Sequence, residues 1–319
     1  MEVKVAPVQK ISEKSHYFCV APMMAKTDRH ARFFHRILSK KAMLYTEMIS
    51  IYGIIRGKNY ELLKHNQEEH PLALQLGGND PEMLAEGAIM GEESGYSEIN
   101  LNVGCPSPKA SNGKIGACLM KEPKLIGKCI NLMKSSTNVT ISVKTRIGID
   151  DMDIGKPLDD FVETVADNGC STIIIHARKA LLKGLNPKEN RNIPPLNYSR
   201  VYDLKSKFPD LNIVINGGIK NIEECKNHLK YTDGVMLGRC AYEQPYLLSD
   251  VDNELFKLSK KTISREDALK KYKKYCISEV RKGTSLNLVT RHIMGLYHGC
   301  NGAKAWRKKL ADIKDVKQL

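Results

Sequence analysis

Thr140-Ile-Ser-Val-Lys144 and Thr172-Ile-Ile-Ile-His176 flank Leu158–Asn168, a segment whose apolar residues recur at helical spacing. The second run is continuously apolar over Ile173–Ile175, the first is apolar at Ile141 and Val143, and each ends on a basic residue. Strands buried on both faces read as near-continuous apolar runs, so this strand–helix–strand unit points to a parallel sheet. The same unit recurs along the chain. Comparable runs lie at Tyr17–Ala21, Met43–Glu47, Leu72–Leu76 and Glu98–Asn102 before it, and at Asn212–Asn216 and Gly234–Leu237 after it. Helical segments read at Asp28–Ser39, with Asp28 as a cap candidate, and at Asp80–Ser94, with Pro81 at a first helical position. Pro123–Ser135, Tyr198–Lys207, Asn221–Leu229 and Gln244–Phe256 continue the series. Eight strands separated by seven helices, with an eighth helix behind them, predict an α/β fold, a (β/α)8 TIM barrel of about 250 residues. An open doubly wound sheet ranks lower, because eight units in series usually close and no GxGxxG follows the first strand.

After residue 257 the strand signal stops. Ile263–Lys282, with Ser264 as its cap, Leu286–His298 and Ala303–Leu310 read as helices, the last two separated by the Gly299–Gly302 turn. The expected organisation is a loose N-terminal segment over 1–16, a barrel over 17–257 and a small basic helical domain over 258–319. Charge marks the same division. Of the net +14, residues 255–319 carry +12 (17 Lys and Arg against 5 Asp and Glu), and residues 1–254 carry +2 (33 against 31). A surplus so concentrated suggests a polyanion partner for the tail.

Hydrophobic residues make up 42% of the chain and charged residues 27%, which excludes a disordered or collagen-like chain. No apolar run is long enough to span a membrane. The N-terminus lacks the apolar core of a secretory signal, and Glu2 and Glu13 argue against an acidic-poor transit peptide, so the expected location is the cytoplasm. The nine cysteines form no CxxC pair, which disfavours a disulfide scaffold or a zinc site and fits a reduced cytosolic protein.

Barrel chemistry sits at the C-terminal ends of strands, and here those ends are polar: Gln75, Asn100 and Asn102, Lys144 and Arg146, His176 and Arg178, Asn216-Gly217-Gly218, and Gly238-Arg239. Gly217-Gly218 and Gly238-Arg239, after the seventh and eighth strands, occupy the usual phosphate position of barrel enzymes. Lys144 on one strand and His176 on the next, with phosphate loops beyond them, fit flavin mononucleotide (FMN) laid across the mouth. Cys105 follows the fourth strand between Gly104 and Pro106. It is a nucleophile, a general acid or an inert thiol; no thiol-enzyme signature surrounds it, and an ordinary thiol can donate a proton. Cys118, among small and apolar neighbours, reads as structural.

Several of these stretches together resemble one family. Ile99-Asn-Leu-Asn-Val-Gly-Cys-Pro-Ser107 and Asn112-Gly-Lys-Ile-Gly-Ala-Cys-Leu-Met120 resemble the catalytic region of tRNA-dihydrouridine synthases. Val143-Lys-Thr-Arg-Ile-Gly-Ile-Asp150, Ile175-His-Ala-Arg-Lys179, Asn186-Pro-Lys-Glu-Asn-Arg191, Ile215-Asn-Gly-Gly218 and Asp233-Gly-Val-Met-Leu-Gly-Arg239 are similar to the same family. The similarity is greatest to its DusA branch and extends through Arg291–Arg307 in the helical tail. It covers roughly residues 18 to 310.

The resemblance implies FMN as cofactor, NADPH as reductant and a D-loop uridine of tRNA, at position 20 or 20a, as substrate. Pro22, Met23, Met24, Gln75, Lys144, His176, Asn216, Gly217, Gly218, Gly238 and Arg239 match FMN-binding positions. Cys105 matches the proton donor, and Asn102, Lys188, Arg191, Lys304 and Arg307 match positions that touch the tRNA. One stretch departs from the family: Ala25-Lys26 stands where the branch commonly has Asp-Trp or a similar pair. The implied reaction transfers a hydride from reduced flavin to C6 of uracil and a proton from Cys105 to C5, on a base turned out of the RNA. Two other readings stand beside it. One is an FMN barrel oxidoreductase acting on a free pyrimidine, which leaves the basic tail unexplained. The other is a tRNA-binding or chaperone protein with dispensable catalysis, which leaves the Cys105, Lys144 and His176 constellation unmotivated.

Overall fold

Residues 14–319 are described by a computed structural model. Eight strands close into a parallel barrel: β1 Phe18–Val20, β2 Met43–Tyr45, β3 Leu72–Gly77, β4 Glu98–Val103, β5 Thr140–Arg146, β6 Thr172–His176, β7 Asn212–Asn216 and β8 Gly234–Leu237. Each pairs with the next, and β1 pairs with β8, so no edge is left open. A two-residue strand, Ile49–Ser50, continues the pairing of β2 along β3.

The register explains the apolar runs. Ile99, Leu101 and Val103 of β4, Ile141 and Val143 of β5, and Ile173 and Ile175 of β6 are buried in one large cluster between strands and helices. A separate small cluster, including Cys19, Met43, Tyr45, Ala73, Ile174, Val214 and Met236, fills the barrel interior. The alternation is therefore real on β4 and β5, where the inward residues Glu98, Asn100, Asn102, Ser142 and Lys144 are polar.

The helices outside the barrel are α1 Arg29–Leu38, α2 Pro81–Glu93, α3 Pro123–Ser136, α4 Lys156–Asp167, α5 Tyr198–Lys207, α6 Ile222–His228 and α7 Leu248–Glu254. The expected caps are in place: the Asp28 carboxylate accepts from the N–H groups of His30 and Ala31, and the Asp80 carboxylate from that of Met83. One expected layer is thinner than predicted. Between β2 and β3 there is only a short helix, Ile51–Ile55, followed by 3-10 turns, and Lys58 there adopts a left-handed backbone.

The tail is helical, with α8 Arg265–Arg281, α9 Leu286–Thr290 and α10 Ala303–Asp312. Ser264 caps α8 as expected. The predicted helix Leu286–His298 instead stops at Thr290 and continues as a 3-10 turn, Arg291–Ile293. Beyond it, Gly295 lies against the Glu243 carbonyl so closely that a Cβ would sit 2.3 Å from that oxygen, an approach open only to glycine.

The tail is fastened to α1. Phe33 stacks on Tyr275 with ring centroids 3.9 Å apart, and Phe34 packs against Tyr272 at 4.9 Å. Asp28 pairs with Arg291 at 2.5 Å and with His292 at 3.0 Å, and Arg29 pairs with Glu279. Residues 1–13 of the N-terminal segment expected to be loose lie outside the described residues. At its end the expectation gives way: Ser15 and His16 are buried, and His16 is hydrogen-bonded to Glu98. Among the described residues no helix is long and apolar enough to cross a membrane.

Candidate active site

Parallel register brings the polar strand ends to one mouth. Asn102 is paired in register with Lys144, and Arg146 with His176, which in turn neighbours Asn216. The loop after β4 carries Cys105, a half-buried free thiol whose Sγ lies 3.5 Å from Ser107 Oγ. Three contacts shape that loop. Asn102 Oδ1 accepts the backbone N–H groups of Gly104, at 3.1 Å, and Cys105, at 3.0 Å. The Cys105 carbonyl accepts from Ala117 N–H at 2.9 Å. Gly116, with φ of +78°, leaves room for that carbonyl, because a Cβ there would lie 2.5 Å from it. Cys118 instead leans on the Ile115 carbonyl at 3.3 Å.

Gln75 and Asn102 form one buried amide pair, Asn102 Nδ2 donating to Gln75 Oε1 at 2.8 Å. Lys144 Nζ donates to Asn216 Oδ1 at 3.1 Å, and Asn216 Nδ2 donates to the Met236 carbonyl at 2.7 Å. Burial, reinforced by neighbouring Arg146, pushes the Lys144 ammonium down to about 7. Burial first, then the cations Arg146, Lys144, Arg178 and Arg239, hold His176 well below its ordinary range, so its ring is neutral at pH 7. His176 Nδ1 is buried and has no hydrogen-bond partner, and the same holds for Arg178 Nε.

The glycines at the ends of the last two strands differ in kind. Gly217 and Gly218 have φ of +122° and +73°, and a Cβ on Gly218 would meet Leu196 at 2.7 Å and the Tyr198 hydroxyl at 3.0 Å. Tyr198 holds the turn by donating to the Gly217 carbonyl at 2.7 Å. Gly238 has ordinary φ, and a Cβ there would meet nothing closer than 3.7 Å, on Ala21 and Met23. Arg239 reaches sideways: its guanidinium donates to Asn192 Oδ1 at 2.7 Å and to the Arg191 carbonyl at 3.3 Å.

Pro22 and Met23 are partly buried after β1, while Met24 is 62% exposed. The divergent Ala25-Lys26 pair has a local account. Ala25 has φ of +58°, its N–H donates to Glu47, and Lys26 pairs with Glu243 at 3.6 Å over the Tyr242 ring. The residues matched to tRNA contact fall in two places. Lys188 and Arg191 are exposed on the loop after β6. Lys304 and Arg307 are exposed on α10, one turn apart, because Trp306 and Leu310 take its inner side; Trp306 Nε1 donates to the Ile293 carbonyl at 2.9 Å.

Several residues have supporting roles that the sequence did not assign to them. Arg146 is buried, donating to the carbonyls of Gly104, Lys179 and Asn190, each at 3.0 Å, and it ties the Cys105 loop to the loop after β6. Asn190 is fully buried and knots that second loop, its Oδ1 accepting from Leu181 N–H at 2.7 Å and its Nδ2 donating to the Leu181 carbonyl at 2.9 Å. Thr46 holds Gln75 by accepting its backbone N–H at 2.9 Å. Asn190 stands inside a stretch whose resemblance was visible, so its family context could have flagged it; Thr46 carried no signal.

Comparison with known proteins places the chain in a family. A profile of the dihydrouridine synthase (Dus) family matches residues 19–319. A protein of Vibrio parahaemolyticus named tRNA-dihydrouridine(20/20a) synthase is 51% identical, over 92% of this chain and 90% of its own length. Proteins of the same name from Escherichia coli K12 and Pseudomonas putida are 50% and 48% identical, over 92% and 98% of this chain and 86% and 94% of their own lengths. With a family profile spanning nearly the whole chain and relatives at half identity, the chain belongs to the dihydrouridine synthase family.

Proposed function

We propose that this protein reduces uridine to 5,6-dihydrouridine in tRNA, at positions 20 and 20a, with FMN as cofactor, NADPH as reductant and Cys105 as proton donor. The observation that carries the reading is the juxtaposition at one mouth of a half-buried thiol, a half-buried lysine and a histidine whose buried Nδ1 has no partner, in a chain half-identical to enzymes named for that reaction.

The site fits a flavin mononucleotide. His176 Nδ1 lacks a partner, and a buried polar atom left so costs on the order of 1–3 kcal/mol until a ligand or water meets it. Gln75, Lys144, His176 and Asn216 would hold the ring system. Gly217, Gly218, Gly238 and Arg239 would hold the phosphate, with Pro22, Met23 and Met24 along the rim. When bound, reduced FMN supplies the hydride for C6 of the uracil.

The chain's own residues do the remaining work. Asn102 and Gln75 hold the Cys105 loop by hydrogen bonds and present amide edges to a base. Cys105 Sγ delivers its proton to C5 of the uracil, and the resulting thiolate is reprotonated from solvent. Lys144, held close to its point of neutrality by burial and Arg146, gains charge beside an electron-rich ligand. Lys188 and Arg191 meet the RNA near the mouth, and Lys304, Arg307 and the basic tail of residues 258–319 meet its backbone. Nine free thiols suit a reducing compartment such as the cytoplasm.

The test is to incubate the protein with FMN, NADPH and unmodified tRNA and to map dihydrouridine by mass spectrometry. Product at positions 20 and 20a supports the reading. Reduction of free uridine monophosphate with tRNA untouched would replace it by the small-molecule alternative.

A further inference from the structure

Below Gln75 and Asn102 the amide pair continues as an unbroken chain to the barrel floor. Gln75 Nε2 donates to Asn100 Oδ1 at 2.7 Å, and Asn100 Nδ2 donates to Ser142 Oγ at 2.7 Å. Ser142 Oγ in turn donates to Glu98 Oε1. Glu98 also receives Tyr45 OH at 2.9 Å on the same oxygen and His16 Nε2 at 2.5 Å on the other. All of these side chains are buried. Burial pushes the Glu98 carboxyl up, but His16 and the hydroxyl donors outweigh it and hold the group below its usual range, so it is ionised.

An ionised carboxylate only accepts. Its presence forces the Ser142 hydroxyl to point down, leaving the serine oxygen as an acceptor for Asn100 Nδ2. That turns Asn100 Oδ1 toward Gln75, Gln75 Oε1 toward Asn102, and Asn102 Oδ1 toward the backbone N–H groups of Gly104 and Cys105. Each amide has two ways round, and one choice at the floor sets all three. The opposite choice would bring the Asn102 amide nitrogen against the Cys105 N–H, donor against donor.

We propose that Glu98, Ser142 and Asn100 are positioning residues, a polarity relay that orients the Gln75 and Asn102 amides from below and thereby holds the Cys105 loop in its reactive geometry. The proposal rests on the reading of Cys105 as proton donor, and it adds residues that touch neither ligand nor substrate. The relay is built to be cooperative, since each bond polarises the next, and it is costly to interrupt because its members are buried.

The test compares Ser142→Ala, Ser142→Thr and Tyr45→Phe with wild type. Ser142→Ala breaks the relay, Ser142→Thr keeps a hydroxyl at the same place, and Tyr45→Phe removes a different donor to the same carboxylate oxygen without breaking the path. Ser142→Ala is expected to lower kcat for dihydrouridine formation about tenfold, equivalent to about 1.4 kcal/mol, with KM for tRNA little changed. In the flavin-free protein it is expected to raise the rate at which iodoacetamide alkylates Cys105, read peptide by peptide. Ser142→Thr and Tyr45→Phe should keep both quantities near wild type. The proposal is overturned if Ser142→Ala leaves both unchanged, if threonine fails to rescue, or if Tyr45→Phe loses as much as Ser142→Ala, which would mark a general loss of packing at the floor. If wild type itself makes no dihydrouridine, the functional reading fails, while the alkylation comparison still decides the relay.

Discussion

Replacing Lys144 with Met should make the ligand-free protein more stable and the flavin complex weaker. The side chain is half-buried at the barrel mouth, with Asn216 Oδ1 at 3.1 Å as its hydrogen-bond acceptor and the Arg146 guanidinium nearby. Burial first, and Arg146 second, bring its ammonium from an ordinary 10.5 to about 7. A basic group whose folded value lies below its unfolded value destabilises the fold while it is protonated. The penalty is fully present below pH 7 and is relieved as pH rises toward 10.5, because over that window the unfolded chain binds the extra proton. At pH 7 the full difference corresponds to roughly 4 kcal/mol, and the solvent contact that the side chain keeps reduces this to about 2 kcal/mol. Met matches the length of most of the lysine stem and carries no charge. Urea unfolding of the flavin-free proteins is therefore expected to show Lys144→Met more stable by about 2 kcal/mol at pH 7, with the advantage shrinking as the pH approaches 10. Titration with FMN should show affinity lower by about tenfold or more, the loss of one charged hydrogen bond. A variant that is less stable than wild type at pH 7, or that binds FMN as tightly, would refute the claim that Lys144 is strained for a ligand.

Three further outcomes follow from other contacts. Gly218→Ala puts a Cβ on a left-handed backbone 2.7 Å from Leu196, so it should cost about 1–3 kcal/mol in thermal unfolding and weaken FMN binding, whereas Gly238→Ala, with a negative φ and nothing nearer than 3.7 Å, should weaken FMN binding and cost less stability than Gly218→Ala. Burial raises the Asp28 carboxyl, but hydrogen bonds from His292, Ala31 and Arg291 outweigh it and hold it well below the usual carboxylate range. Its contribution is thus present above about pH 4 and lost as pH falls further; Asp28→Ala should cost about 2–4 kcal/mol at pH 7, from a lost cap and two unpaired partners, with the deficit narrowing in acid-denaturation series. Asn190→Ala should raise KM for tRNA with little change in reduction by NADPH, because it loosens the loop that presents Lys188 and Arg191; an unchanged KM would remove the knot from recognition.

The barrel was legible because its signal is periodic. Each β-rich run buried on the helix side is apolar at alternate positions whatever the inner face holds, so Ile99, Leu101, Ile173 and Ile175 announce strands on their own. The strand-end residues were legible for the same reason, since their places follow from the register. The tethers were not. Arg146 reads in sequence as one more mouth cation, and only the folded loops reveal three carbonyls converging on it. Glu98, Tyr45 and His16 are distant in sequence and meet only when β1, β2 and β4 close the floor. The helix over Leu286–His298 was overextended because nothing local marks the approach of Gly295 to Glu243, a contact between elements far apart in the chain. The fastening of the tail to α1 was likewise hidden: Asp28 was legible as a cap, and its second role toward Arg291 and His292 was not.

The central claim is that Cys105 delivers the proton in reduction of a tRNA uridine. The most direct measurement is a single turnover with pre-reduced FMN-loaded protein and unmodified tRNA, comparing wild type with Cys105→Ala and quantifying dihydrouridine at positions 20 and 20a. The account predicts that the variant binds FMN and tRNA as wild type does and forms dihydrouridine at least about 100-fold more slowly, the scale of general acid catalysis. Dihydrouridine formed by the variant at the wild-type rate would contradict it.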